Sequence, residues 1–269
     1  MSPRRRLLLA VLVAAVLAAA GVVGVRLWGT GAGGPLADPG TRPAQDRPGP
    51  VLLVPGYGGQ RGSLTQLARR IEATGRPATV LSLVGDGTGD LSAQVGVLDA
   101  AVTAALRGGA PSVDVVGYSA GGVVAGLWVA RDDGASKARR VVTLGAPLAG
   151  TSLAAEATVL APDACPAACR QLAPGSAEIA ELTRARVGTA LPWLAVWTAD
   201  DETVVPPDRA AQLAGTIQVQ VQAVCPGARV SHSALPTDPA VTGLVLRGLS
   251  ADPLAAPPAG GCAQVRAAG

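Results

Sequence analysis

Short apolar runs alternate with helically spaced segments along most of this chain, and few folds accept that rhythm. The runs are Val51–Val54, 78–84, 113–116, 141–144, Trp193–Trp197 and 217–224. Between the first two, Leu64, Leu67, Ala68 and Ile71 recur at the spacing of one helical face, with Ser63 placed to cap the helix. Residues 91–106, 120–130 and 238–249 read as further helices. Strands that are apolar on both sides belong in a parallel sheet covered on both faces. Crossovers between such strands are right-handed. The pattern predicts an α/β chain with a mostly parallel, doubly wound sheet of about six strands. Hydrophobic residues make up 49% of the sequence, enough for a sizeable core, and with no Phe that core must be built from Ala, Val and Leu. Residues 150–192 break the rhythm and are expected to form a small insertion over the strand ends, a cap.

The N-terminus points to export. Arg4, Arg5 and Arg6 precede an uninterrupted run of apolar and small residues at 7–25, and Ala18-Ala19-Ala20 fits a small-residue cleavage site. The same run is long enough to serve as an uncleaved membrane anchor, with the three arginines held inside. Residues 1–28 therefore read as a signal peptide or anchor, and 29–50, rich in Gly, Pro, Asp and Arg, as a linker. The folded domain is expected at 51–269, secreted or tethered to the outer face of the cytoplasmic membrane. The formal net charge is +3, and the arginines at 4–6 account for it. A near-neutral domain with no basic stripe argues against nucleic acid as a partner.

Four cysteines follow the export segment: Cys165, Cys169, Cys225 and Cys262. An even count in an oxidising compartment reads as two disulfides, with three connectivities open. Local closure favours Cys165–Cys169 and Cys225–Cys262. A metal site is disfavoured because the spacing lacks two close pairs and the chain has a single His.

The chemistry centres on Gly117-Tyr118-Ser119-Ala120-Gly121-Gly122, a G-x-S-x-G sequence placed between a strand and an apolar helix. A sharp strand-to-helix turn there would lift the Ser119 hydroxyl above the sheet, and small neighbours would let the turn pack. A serine hydroxyl needs a base to become a useful nucleophile. The only candidate imidazole is His232, after the last predicted strand. An acid to orient it should follow the fifth strand, where Asp200, Asp201 and Glu202 compete and the two not chosen read as a solvated turn. Two backbone N–H groups could receive a developing oxyanion: Ala120, just after the serine, and Tyr57 in the turn Pro55-Gly56-Tyr57-Gly58-Gly59. No metal or cofactor is required.

In these segments the chain resembles the bacterial extracellular lipases and esterases of the α/β-hydrolase superfamily. LLVPGYGG at 52–59, DVVGYSAGG at 114–122, VVTLGAPLAGT at 141–151 and WTADDETVVPP at 197–207 carry the resemblance, and His232 closes the set. It covers roughly 51–249. The resemblance implies Asp201 as the acid, because the family places it three residues before a Val beside a Pro, and Val204 sits there. It also implies hydrolysis of carboxylic esters, triacylglycerols among them, through an acyl-enzyme, with an ester or lipid as substrate. The chain departs from the family in carrying Pro55-Gly56 where many lipases have His-Gly, and its cap segment holds few large apolar residues. An acyltransferase or thioesterase would use the same groups, and a binding module that has kept the fold is the rival of a different class.

Overall fold

A computed structural model describes residues 42–269. The signal or anchor at 1–28, the tether at 7–25 and most of the linker at 29–50 lie outside the described residues. Six strands form one wholly parallel sheet: β1 (Val51–Val54), β2 (Ala78–Val80), β3 (Val113–Tyr118), β4 (Ala138–Leu144), β5 (Trp193–Trp197) and β6 (Ile217–Gln220). Their order across the sheet is β2-β1-β3-β4-β5-β6. Chain direction across the sheet reverses between β1 and β3. In open α/β sheets the crevice at such a switch point, outside the strands' carboxyl ends, is where ligands bind.

Alternate residues of the central strands β1, β3, β4 and β5 feed two separate cores, while the edge strands β2 and β6 feed one. Leu52, Val54, Val113, Val115, Val141 and Trp193 pack on one face with α2 (Leu91–Arg107) and α3 (Ala120–Arg131). Val51, Leu53, Val116, Val142, Leu194 and Val219 pack on the other, against α1 (Gly62–Glu72) and the later helix over Pro239–Leu249. Burial on both sides is why these strands read as continuous apolar runs.

Several boundaries differ from the sequence expectation: β2 stops at Val80 rather than 84, β3 runs on to Tyr118, and three further differences concern how the chain is held. The first helix is capped at Arg61 rather than Ser63, which lies inside it without a capping bond; the Arg61 guanidinium instead holds Ser82 Oγ and the Val80 carbonyl. β6 stops at Gln220, and residues from Val221 turn into a single helical turn. The alternating pattern at 217–224 would allow a longer strand, but its one ladder partner, β5, ends at Trp197 opposite Gln220. β4 begins at Ala138, earlier than the apolar run, and carries Arg139 and Arg140 fully into the interior.

The segment 150–192 does two things. α4 (Ser152–Leu160) and α5 (Ala167–Gln171) stand over the carboxyl ends of the strands. α6 (Ala177–Arg184) instead packs on α3 through Leu182, which would be 2.8 Å from a Cβ at Gly126, and so serves as the crossover helix between β4 and β5. After α7 (Pro239–Leu249), capped by the Asp238 carboxylate, the chain closes with α8 (Cys262–Ala268) lying on α7. The cysteines pair as Cys165–Cys169 and Cys225–Cys262. The second bond ties α8 to the end of the turn after β6. Residues 45–49 lie along the opposite end of the sheet, where the Gln45 side chain bonds the Arg139 carbonyl.

Candidate active site

Ser119 sits between β3 and α3 with φ 53° and ψ −127°, one of few non-glycine residues at positive φ. Such a conformation costs roughly 1–3 kcal/mol and persists only where its surroundings impose it. Three glycines impose it by close approach. A Cβ at Gly117 would lie 2.6 Å from Gly122 Cα; one at Gly121 would strike the Val54 carbonyl, and one at Gly122 the Ala146 methyl. The Ser119 N–H donates to the Leu144 carbonyl at 2.8 Å, so the turn is stitched to the end of β4. Ser119 Oγ enters no hydrogen bond among the described residues and lines an open cleft.

His232 is buried on the loop after the turn that follows β6, and its Nδ1 lies 2.7 Å from Asp201 Oδ2. A carboxylate only accepts, so this pairing sets the ring proton on Nδ1 and leaves Nε2 as the acceptor. Asp201 is itself fixed: its other oxygen accepts from the N–H of Thr203 at 3.0 Å and of Val204 at 2.7 Å. Gly145, at φ 54°, gives the pair its room, because a Cβ there would lie 3.0 Å from His232 Nδ1 and 3.1 Å from Asp201 Oδ2. Ser119, Asp201 and His232 thus gather at the ends of β3, β5 and the loop beyond β6, around the Leu144–Gly145 step.

The two remaining acids lie in a turn and keep solvent contact, Glu202 exposed and Asp200 half-buried, but both also hold neighbouring groups. Glu202 accepts the His232 N–H at 3.0 Å. Asp200 accepts the Val230 N–H and a Gln222 side-chain N–H, each at 3.2 Å, and pairs with Arg229 at 3.2 Å. Tyr118 donates its hydroxyl to the His232 carbonyl at 3.2 Å and lays its ring beside the imidazole, centroids 5.2 Å apart. Burial first, and then the negative charges of Asp201 and Glu202, push the Tyr118 phenol up to about 12, so it stays a neutral donor at any physiological pH. The sequence named Asp200 and Glu202 only as rivals of Asp201 and Tyr118 only within the motif; their bracing roles were not read from it, although adjacency to Ser119 and Asp201 is the signal that marks them.

The Tyr57 and Ala120 N–H groups donate no hydrogen bond among the described residues. The turn that carries Tyr57 is close to the serine, since a Cβ at Gly56 would lie 2.9 Å from Ser119 Cβ. It is backed by a second loop, where a Cβ at Gly87 would lie 2.7 Å from the Gly59 nitrogen. The Tyr57 side chain is 43% exposed at the cleft mouth. Its phenol is raised by partial burial and by the nearby Asp86 carboxylate.

The cleft, open to solvent, has a volume of about 230 Å³. Its walls are Leu153, Ala154 and Ala157 of α4, with Leu172, Val204 and the Cys169 end of the local disulfide. Leu153 is half exposed at the cleft, and outside it α4 leaves Val159 and Leu160 exposed. A serine at the mouth of an apolar cleft, beside an oriented imidazole and two amides with nothing to bond, is suited to acyl transfer.

No protein-family model and no curated protein sequence matches the chain. Solved structures do resemble it. The lipase B of Aspergillus fumigatus superposes with a TM-score of 0.62 at 18% identity, covering 75% of this chain and 52% of its own length, so this chain spans about half of that protein. The mature form of the Bacillus licheniformis lipase BlEst2 superposes with a TM-score of 0.55 at 17% identity, covering 76% of this chain and 91% of its own. The propeptide form of the same lipase gives a TM-score of 0.57 at 18% identity, covering 83% and 54%. The parallel six-stranded sheet and these likenesses give the chain the α/β-hydrolase fold, with lipases among its structural neighbours.

Proposed function

We propose that the protein is a serine hydrolase that cleaves carboxylic esters, a lipase or esterase, through an acyl-enzyme. Ser119 Oγ attacks the ester carbonyl as His232 Nε2 takes its proton. The tetrahedral oxyanion is received by the Tyr57 and Ala120 amides at the positive end of α3. Collapse expels the alcohol, protonated by His232, and leaves Ser119 acylated. Water, activated by the same imidazole, then releases the acid. Asp201 keeps His232 in the required tautomer and stabilises its charged form. Serine–imidazole bonds of this kind are often long in empty sites and tighten on substrate.

The observation that carries this reading is the buried His232–Asp201 pair at 2.7 Å beside a serine forced to positive φ. The likeness to lipases supports an ester substrate. The basic-then-apolar N-terminus and the two disulfides favour an exported domain, cleaved free or held by residues 7–25. Hydrolysis of nitrophenyl esters by the full chain tests the reading. Turnover should disappear in Ser119→Ala, and a fluorophosphonate probe should label wild type at Ser119. Equal turnover by Ser119→Ala would refute it.

A further inference from the structure

We infer that the cleft beside Ser119 is an acyl subsite of limited depth, and that Ala154 and Ala157 set its length. This rests on the ester-hydrolase reading and narrows its substrates to esters of short and medium apolar acids. The first argument is volume. The cleft has a volume of about 230 Å³. That is below the roughly 300–1,000 Å³ of pockets built for larger ligands.

The second argument is chemistry. No charged side chain lines the cleft. An ionised acyl group would lose part of its hydration there and find no charged partner. An alkyl chain loses nothing and removes its own surface from water.

The third is rigidity. The wall facing α4 cannot retreat easily, because Cys169 is bonded to Cys165 and the Ala168 N–H is held by the Thr88 carbonyl at 3.1 Å. The Leu172 carbonyl takes the Thr151 N–H at 3.0 Å, tying that wall to the start of α4. Thr151 Oγ1 also accepts the Val205 N–H at 3.0 Å, which joins both to the Asp201 loop. On α4 itself, Ala154 and Ala157 lie three residues apart, one above the other on the cleft face. They are the small side chains that leave the space, so their size decides how much acyl chain fits.

The test is kcat/KM of the full chain for monomeric nitrophenyl esters from acetate to palmitate. Each methylene that enters the cleft should raise kcat/KM about fourfold. The rise should end short of palmitate and give a plateau or a fall beyond that point. A rise of undiminished slope through palmitate would overturn the inference. Ala157→Leu and Ala154→Leu should each lower the octanoate-to-acetate ratio by about tenfold or more and move the break to shorter chains. Ala157→Val serves if a leucine variant does not fold, and fluorophosphonate labelling identifies the variants whose site is assembled. Ratios unchanged in labelled variants would overturn the inference while leaving the hydrolase reading intact. Turnover that survives Ser119→Ala would defeat the hydrolase reading itself.

Discussion

Arg139 offers the sharpest test of how this sheet is held together. Its side chain is fully buried, and five N–H groups meet five acceptors. Nε donates to Asp114 Oδ1 at 3.0 Å; Nη1 to the carbonyls of Gln45 at 2.8 Å and Ser250 at 2.9 Å; Nη2 to Asp114 Oδ2 and, at 2.6 Å, to the Leu249 carbonyl. One guanidinium therefore joins β3, the segment before β1 and the end of α7. Arg139→Met would leave Asp114 buried with Arg76 as its remaining cation, at 2.7 Å. Removing one partner of a buried pair costs about 3–5 kcal/mol. At about 2–4 °C per kcal/mol for a domain of this size, Tm should fall by about 6–20 °C. Arg139→Lys should recover less than half of this, because three donors cannot meet five acceptors. Replacing Arg139 and Asp114 together by leucine should cost less than Arg139→Met alone, since no half-satisfied carboxylate then remains buried and Arg76 keeps the Gly49 and Leu249 carbonyls. Arg139 lies about 17 Å along β4 from Leu144, at about 3.3 Å per residue, so kcat at low temperature should be unchanged. Thermal unfolding followed by circular dichroism reads the first effect and ester turnover the second. A Tm within about 2 °C of wild type would refute the reasoning.

Three further outcomes are expected around the site and the C-terminus. Glu202→Ala, which removes the acceptor of the His232 N–H, should lower kcat about fivefold with KM nearly constant, a loss of roughly 1 kcal/mol for one exposed charge-assisted bond; Glu202→Gln should restore most of it, and equal kcat in all three would show that the brace has no role in positioning. The Tyr118 phenol is raised above its ordinary value to about 12. The stability it gives is complete below pH 10 and is lost as pH rises from 10 toward 12, so Tyr118→Phe should flatten the fall of the urea midpoint over that window. The Cys225–Cys262 bond closes a sequence separation of 37. Loop-closure entropy assigns it about 4 kcal/mol. The double serine variant should therefore melt at least about 8 °C lower, and an unchanged Tm would show that packing of α8 on α7 suffices.

How much of this was legible in the sequence depends on whether the determining forces are local. The central strands announced themselves because both faces are buried, so most positions in them are apolar. The turn at Ser119 was legible because only Gly fits at 117, 121 and 122, and the imidazole because His232 has no competitor. The disulfides followed from even count and local closure. The choice among Asp200, Asp201 and Glu202 did not follow from local rules. The three are adjacent, and which one meets the imidazole depends on how the chain leaves β5 and where the loop after β6 returns. Tertiary structure gives Asp201 the ring, Glu202 the His232 N–H and Asp200 the Val230 N–H. The same limit hid the true start of β4. Two adjacent arginines read locally as a strand boundary because charge avoids burial. They are buried because Asp114 and carbonyls from residues 45, 248–250 and 252 surround them. The sequence alone determined the alternation, the elbow and the presence of one serine at that elbow and one histidine beyond the last strand, since these follow from side-chain size, periodicity and backbone sterics. Only the tertiary structure decided the pairings, the ends of strands and the depth of the cleft, because each depends on partners brought together from distant parts of the chain.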